Sequence, residues 1–160
     1  MKSVKQVAVA ALLTMGAFGA VTLVSCSKDD DPVVCAVGLT GDDCKTEVRT
    51  SYTGDYKGNG SDNDGNTYTN WHLVFAPTTT DVTKMSMILQ DETTAPVVAL
   101  TITLKTNTTF EVDNFTTSDN YTYTGSGTIG ANSVSLTLSQ KDNEDTPPST
   151  ITFTFNNMIK

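Results

Sequence analysis

Apolar and polar residues alternate with a period of two from about residue 52 onward, and this alternation constrains the fold more than any other feature of the sequence. The clearest run is VVALTITLK at 97–105, where large aliphatic residues alternate with small or polar ones. Comparable runs are NTYTNWHLVFA at 66–76, KMSMILQ at 84–90, TFEVD at 109–113, SVSLTLS at 133–139 and TITFTFN at 150–156. Because successive side chains of a strand point to opposite faces, the pattern predicts antiparallel strands with one buried and one solvated face.

Turn-forming sequences rich in Gly, Pro, Asn and Asp separate these runs. They lie at 61–66, 77–81, 91–96, 105–108, 116–120, 130–132 and 141–149. With an opening strand in YTGDYKG at 52–58, they divide residues 50–160 into about eight short strands joined in succession. Eight antiparallel strands in up-and-down order form either a barrel or a two-sheet sandwich, and the residues leave that choice open.

The glycines and tyrosines of the opening strand carry a family resemblance. The pattern YxGxYxG at 52–58, with GxG at 125–127, resembles the small lipocalin-like lipoproteins of Bacteroidota over most of residues 50–160. The resemblance implies a lipocalin-like barrel. The chain lacks the Gly-x-Trp signature of true lipocalins at its first strand, so the resemblance does not by itself imply their ligand cavity.

The start of the chain predicts export. A basic opening, MKSVKQ, precedes an uncharged apolar run at 7–24, as in a secretory signal. The run is also long enough for a retained anchor helix, which is the alternative. The residues LVSC at 23–26 resemble the bacterial lipobox. That resemblance implies a lipoprotein signal peptide at 1–25, cleavage before Cys26 and a diacylglyceryl group on its sulfur.

An acidic tether follows at 26–34, in which SKDDD resembles the tag that exports Bacteroidota lipoproteins to the cell surface. We therefore expect a lipid-anchored outer-membrane protein exposed on the surface, with the periplasmic face as the alternative. Loss of the signal removes two lysines and no acid, so the formal charge falls from −8 to −10. Such a chain is unsuited to nucleic acid, and its contact with the membrane depends on the lipid.

Cys35 and Cys44 remain as an even pair once Cys26 is acylated, and an oxidising compartment favours a disulfide between them. The spacing CxxGxxGxxC resembles the last loop of an EGF-like module, so residues 35–49 are interpreted as a disulfide-closed fragment of one. Two thiols without further ligands do not complete a zinc site. The antiparallel domain then occupies residues 50–160.

Motifs that suggest chemistry do not meet its requirements. GSGTIG at 125–130 precedes a strand, whereas a dinucleotide fingerprint opens a helix. SDNDGN at 61–66 lacks two ligand positions of an EF-hand, and Asp64-Gly65 predicts a type I′ turn instead. His72 has the parity opposite to Trp71 and is expected to face outward without a catalytic role. We expect no enzyme activity, no metal and no cofactor.

Four aromatic residues are possible ligand contacts: Tyr68, Trp71, Tyr121 and Tyr123. Tyr121 and Tyr123 share one face, and Tyr68 is expected on the face opposite to Trp71. Exposed tyrosines on a sheet can stack on sugar rings; alternatively, they cover the sheet or fill a barrel end.

The sequence predicts a non-catalytic module for structure or protein interaction. The alternative is a binding module for a small apolar ligand or a glycan. The large residues expected inside favour a packed core over a cavity, and a pocket of at least about 300 Å³ lined by them would reverse that preference.

Overall fold

Eight antiparallel strands close into a barrel in the computed structural model, which describes residues 33–78 and 80–160. The predicted all-β, up-and-down architecture is confirmed, and of the two alternatives the barrel is the one observed. The predicted signal peptide at 1–25, Cys26 and most of the tether lie outside the described residues. Within the described part of the chain, no helix has the length and apolar character needed to cross a membrane.

The barrel strands lie side by side in the order in which they occur along the chain. The elements are β1 Leu39–Thr40, β2 Thr46–Glu47, α1 Arg49–Tyr52, β3 Gly54–Asp62, β4 Thr67–Pro77, β5 Lys84–Gln90, β6 Pro96–Leu104, β7 Thr109–Thr116, β8 Tyr121–Ile129, β9 Ser133–Asp142 and β10 Ser149–Ile159. Strands β3 to β10 each pair with the next along the chain, and β10 closes the barrel on β3. Connections this local suit the short turns read from the sequence.

The apolar residues of the alternating pattern face the inside of the barrel, and the polar residues between them face the outside. Inward-facing residues come from every strand, and the largest of them are less than 2 % exposed: Tyr56, Phe75, Phe110, Phe155, Leu73, Met85, Met87, Ile102, Leu136, Leu138, Met158 and Val134. A barrel of eight strands is just wide enough inside for side chains to fill it. The hydrophobic effect of this burial is the main stabilising contribution.

The turn between β3 and β4 differs from the predicted type I′ turn. Such a turn needs positive φ at both central residues, and here only Gly65 has it, at +88°. The Asp62 carboxylate accepts the N–H groups of Asp64 and Asn66, both at 2.9 Å, and so holds the loop in its observed form. The type I′ prediction was wrong because side-chain capping, not the Asp-Gly pair, sets the turn.

The segment 35–52 forms an N-terminal cap over one barrel end, here called the capped end. The predicted disulfide between Cys35 and Cys44 is confirmed. Asn107, in the β6–β7 turn, accepts the Gly38 N–H at 2.8 Å and donates to the Leu39 carbonyl at 2.9 Å. The Arg49 guanidinium donates to the Asp81 carbonyl at 2.7 Å and to the Lys84 carbonyl at 3.1 Å. These bonds fix the cap to two barrel turns.

Glycine is required at position 127 of β8. A Cβ there would lie closer than the 3.0 Å that real contacts respect, both to the Ser135 carbonyl and to the Phe110 ring. We expect Gly127→Ala to lower the free energy of unfolding by about 1–3 kcal/mol through overpacking. Chemical denaturation measures this value.

The matched control is Gly130→Ala, since a Cβ at Gly130 meets nothing nearer than 3.7 Å. That variant should stay within about 0.5 kcal/mol of the wild type. Equal destabilisation by both substitutions would contradict the packing argument.

Candidate functional site

An aromatic cluster fills the barrel near the end opposite the cap, here called the distal end. It consists of Tyr68 and Trp71 from β4 and Phe153 and Phe155 from β10. The Tyr68 ring lies 4.9 Å from that of Trp71 and 5.7 Å from that of Phe153. Trp71 stacks on Phe155 at 5.9 Å with an interplanar angle of 29°. Two of the four predicted contact residues are thus brought together in one cluster.

Tyr68 lies on the same face as Trp71, so its expected placement on the opposite face was wrong. The register passes from Gly58–Trp71 to Gly60–Tyr68, which sets two residues of β4 against one of β3. Asn70 absorbs this bulge with a φ of +56°, and its N–H donates to Asn59 Oδ1 at 3.1 Å. A bulge restarts the alternation, and a strict period of two therefore gives the wrong face beyond it.

Glycines opposite the cluster leave space for its rings. A Cβ at Gly60 would collide with the Phe155 ring, and one at Gly58 with Met158. Gly58, the last glycine of the YxGxYxG pattern, and Gly60, two residues beyond it, are therefore positions where β3 gives room to large residues of β10.

The hydroxyl of Tyr68 is tied to the rim of the barrel. It donates to Asp62 Oδ2 at 2.6 Å, and the Asn66 amide donates to the same oxygen at 2.8 Å. The Tyr68 hydrogen bond, with those from Asn66 and Asp64, lowers the pKa of Asp62 to about 2. Burial, followed by the bond to Asp62, raises the pKa of Tyr68 to about 12. At neutral pH this pair stays as a phenol donating to a carboxylate.

The other two predicted contact residues, Tyr121 and Tyr123, lie on β8 and face the interior. Tyr123 is buried and Tyr121 packs partly buried against the core. The nearby Asp142 carboxylate is the main cause that raises the pKa of Tyr121. These tyrosines fill the barrel and present no flat platform on the outer sheet, and ligand contact by their remaining exposed edges stays a prediction.

His72 points outward from β4 in register, as predicted, but it is only 5 % exposed. Its Nδ1 lies 2.9 Å from both carboxylate oxygens of Asp55. Across the ladder it faces Lys57 and Gln90, neither of which carries a hydroxyl or thiol. Asp55 was not predicted as the partner of His72, because it lies on the neighbouring strand β3. The arrangement orients an imidazole and supplies no hydroxyl or thiol nucleophile at the paired positions.

A groove of about 440 Å³ crosses the outer face of β7, β8 and β9. Five of its eleven lining residues carry hydroxyls. The lining consists of Lys105, Thr109, Phe110, Glu111, Ser126, Gly127, Thr128, Ser135, Leu136, Thr137 and Asn156. Glu111 forms an ion pair with Lys105 at 2.7 Å. The lining holds neither histidine nor cysteine. Its Ser and Thr hydroxyls therefore have no imidazole among the lining residues to activate them, and they offer hydrogen-bond donors and acceptors for binding.

The groove was not predicted, because it depends on the register that aligns three strands. Alternating Ser and Thr in SGTIG and SVSLT were the available signal, but they indicate only a solvated face. No cluster of three or more metal-binding side chains occurs among the residues that the structure describes. Compared with known proteins, the chain matches no family model, and no curated protein or solved structure matches it significantly.

The Asp62–Tyr68 pair predicts a specific pH dependence. We expect Tyr68→Phe to raise the pKa of the Asp62 carboxyl from about 2 towards its ordinary value of 3.8, because its principal donor is removed. A group with a depressed folded pKa stabilises the fold above its unfolded pKa and loses that effect as pH falls through the folded value. In the variant the folded pKa lies closer to the unfolded one, so the carboxyl should contribute less stability at neutral pH, and the loss of that contribution should be complete at a higher pH. NMR titration of the Asp62 carboxyl carbon measures the shift.

Tyr121→Phe serves as the control, since Asp62 is not among the groups that shift the pKa of Tyr121. The Asp62 titration should be unchanged in this variant. A titration that is equally unchanged in Tyr68→Phe would show that the phenol does not set the carboxyl pKa.

Proposed function

We propose that this protein is a lipid-anchored, non-catalytic barrel of the outer membrane that acts through its outer surface as a protein-interaction module. The observation that carries the proposal is the filled interior. Twelve inward-facing side chains, from Val134 up to Tyr56 in size, are less than 2 % exposed, and a Cβ added at Gly60 or Gly127 would meet an aromatic ring. A ligand of drug size needs a concave space of about 300 Å³ or more.

The groove supports an external mode of action. Its volume of about 440 Å³ exceeds that threshold, but its lining comes largely from the outward faces of β7, β8 and β9. The two core residues in its lining, Phe110 and Leu136, are each only 1 % exposed. Space for contact therefore lies outside the barrel, as expected for a module that meets a macromolecule.

The anchor rests on the sequence. The apolar run at 7–24, the residues LVSC and the acidic SKDDD together motivate lipid attachment at Cys26 and display on the cell surface. Each buried methylene of such a lipid contributes about 0.8 kcal/mol, so two or three long chains hold a protein to the membrane.

Replacement of the lipidated sulfur tests the anchor. We expect the wild-type chain to incorporate labelled palmitate and to fractionate with membranes, and Cys26→Ser to lose both properties. Cys35→Ser is the matched control, because it removes a different sulfur and should leave labelling intact. Membrane fractionation of Cys26→Ser that equals the wild type would refute lipid anchoring.

An apolar fluorescent ligand tests the filled interior. The wild-type protein should not bind it, since the core offers no space. Leu136→Ala removes a buried side chain that is 1 % exposed and creates a dry cavity, at a cost of about 2–5 kcal/mol. The variant should therefore bind an apolar probe as small as benzene or xenon, which serves as the positive control, and should still exclude the larger fluorescent ligand. Saturable binding to the wild type would favour the alternative function, a binding module for a small apolar ligand.

A further inference from the structure

The seam between β6 and β7 is paired at one end only. Its register covers Leu104–Phe110, Thr103–Glu111 and Ile102–Val112, and no pairing beyond Ile102 occurs in the described parts of these strands. By contrast, β8 and β9 are paired along their whole shared length, from Tyr121–Asp142 to Ile129–Val134. We call residues 96–101 of β6 and 113–116 of β7 the open seam.

Bulges on both sides account for the opening. The pairing of β7 with β8 is irregular between Val112 and Phe115, and that of β6 with β5 is irregular at Val97, between the Leu89–Val98 and Gln90–Pro96 pairs. A bulge bends its strand and interrupts the ladder. β6 therefore stays paired with β5, and β7 stays paired with β8, so β6 and β7 separate towards the distal end of the barrel.

The open seam leaves backbone groups without a strand partner. The Leu104 N–H donates to the Thr83 carbonyl at 2.8 Å, so the backbone of the even-numbered residues of this part of β6 points to β5. Because this direction alternates along a strand, the N–H and C=O of Ala99 point towards β7. Within the described residues, Ala99 is not paired with any residue of β7. An unpaired edge is a template for an added strand.

Apolar surface accompanies this edge. Val97 is 50 % exposed and Phe115 is 43 % exposed, one on each side of the open seam. Behind them, Val98 and Val112 remain 7 % and 6 % exposed, whereas Leu73 and Met85 elsewhere in the core are at 0 %. Alternate side chains of an added strand would reach this apolar surface.

The charges at the mouth of the seam select the occupant. The β5–β6 turn carries Asp91 and Glu92, the β7–β8 turn carries Asp119, and the residues of both turns, 91–95 and 117–120, include no Lys or Arg. Asp113, inside the seam, is already paired with Lys84 at 2.5 Å. A basic segment is attracted, while an acidic one, or a second copy with the same acids, is repelled.

We propose that the open seam binds an extended segment of another protein as an added strand, with apolar residues at alternate positions and basic residues at its ends. This inference deepens the interaction role proposed above by naming the surface and the partner chemistry. It does not depend on the lipid anchor.

Synthetic peptides test the proposal on the full chain, purified from membranes in detergent. The probe is a capped nine-residue peptide of alternating valine and threonine with a lysine at each end. Two matched peptides carry glutamate at both ends or proline at the centre. The lysine peptide should bind and slow hydrogen exchange in residues 96–101, and both matched peptides should bind about tenfold more weakly.

Variants of the seam provide the second test. Ala99→Pro removes an N–H that has no strand partner, and prolines are tolerated at strand edges, so the melting temperature should stay close to that of the wild type. Affinity for the lysine peptide should fall about tenfold, and Ala99→Ser should keep it. If Ala99→Pro impairs folding, a double variant with Glu92→Lys and Asp119→Lys replaces it, since both residues are exposed. This variant should bind the glutamate peptide more tightly than the lysine peptide.

The proposal is overturned if no peptide binds, if protection appears away from the open seam, or if the variants bind as the wild type does. A dimer of the unliganded chain with residues 96–101 protected would assign the seam to a second copy and would equally overturn it. If no peptide binds at the open seam but a purified protein cross-links to the groove, the proposed interaction role stands. If the apolar probe fills the wild-type barrel, that role falls, whatever the peptides do.

Discussion

The limited width of an eight-strand barrel is the constraint on which the rest of this structure depends. Eight strands enclose little more than their own side chains, so every large inward residue must be matched by a small one. Gly60 faces the Phe155 ring and Gly127 faces that of Phe110. Irregularities in the hydrogen-bond ladder, at Asn70, at Val97, between Val112 and Phe115 and between Phe155 and Met158, bend the wall around this content. Packing and curvature are therefore two aspects of one requirement.

Because side chains fill the interior, the polar groups available for binding lie on the outer surface of the barrel. The outer wall of β7, β8 and β9 bears mostly Ser and Thr hydroxyls, while the acids concentrate in the distal turns. Hydroxyls on a solvated sheet bind by many weak hydrogen bonds, and carboxylates repel one another and other anions. The surface thus favours neutral or basic partners, and the same charge limits self-association of a chain that carries a partly unpaired strand.

Local pattern was sufficient to predict most of the fold. VVALTITLK and SVSLTLS became β6 and β9 with the expected faces, and the turns rich in Gly, Asn and Asp fell between strands. The prediction failed where distant residues decide. Tyr68 changed face because Asn70 takes a positive φ, and His72 is buried against Asp55 of the neighbouring strand. Closure of β10 on β3 joins residues about ninety positions apart, which no short window of sequence contains.

The position of the disulfide decides how the barrel responds to tension. A pull on the chain ahead of Cys35 passes through the sulfur bridge to Cys44 and bypasses the eight residues between them. Beyond Cys44, the load reaches the short helix and the Arg49 bonds to the Asp81 and Lys84 carbonyls before it reaches the first barrel strand. The hydrogen bonds that hold the segment 35–52 to the barrel turns are therefore loaded before those of the barrel ladder.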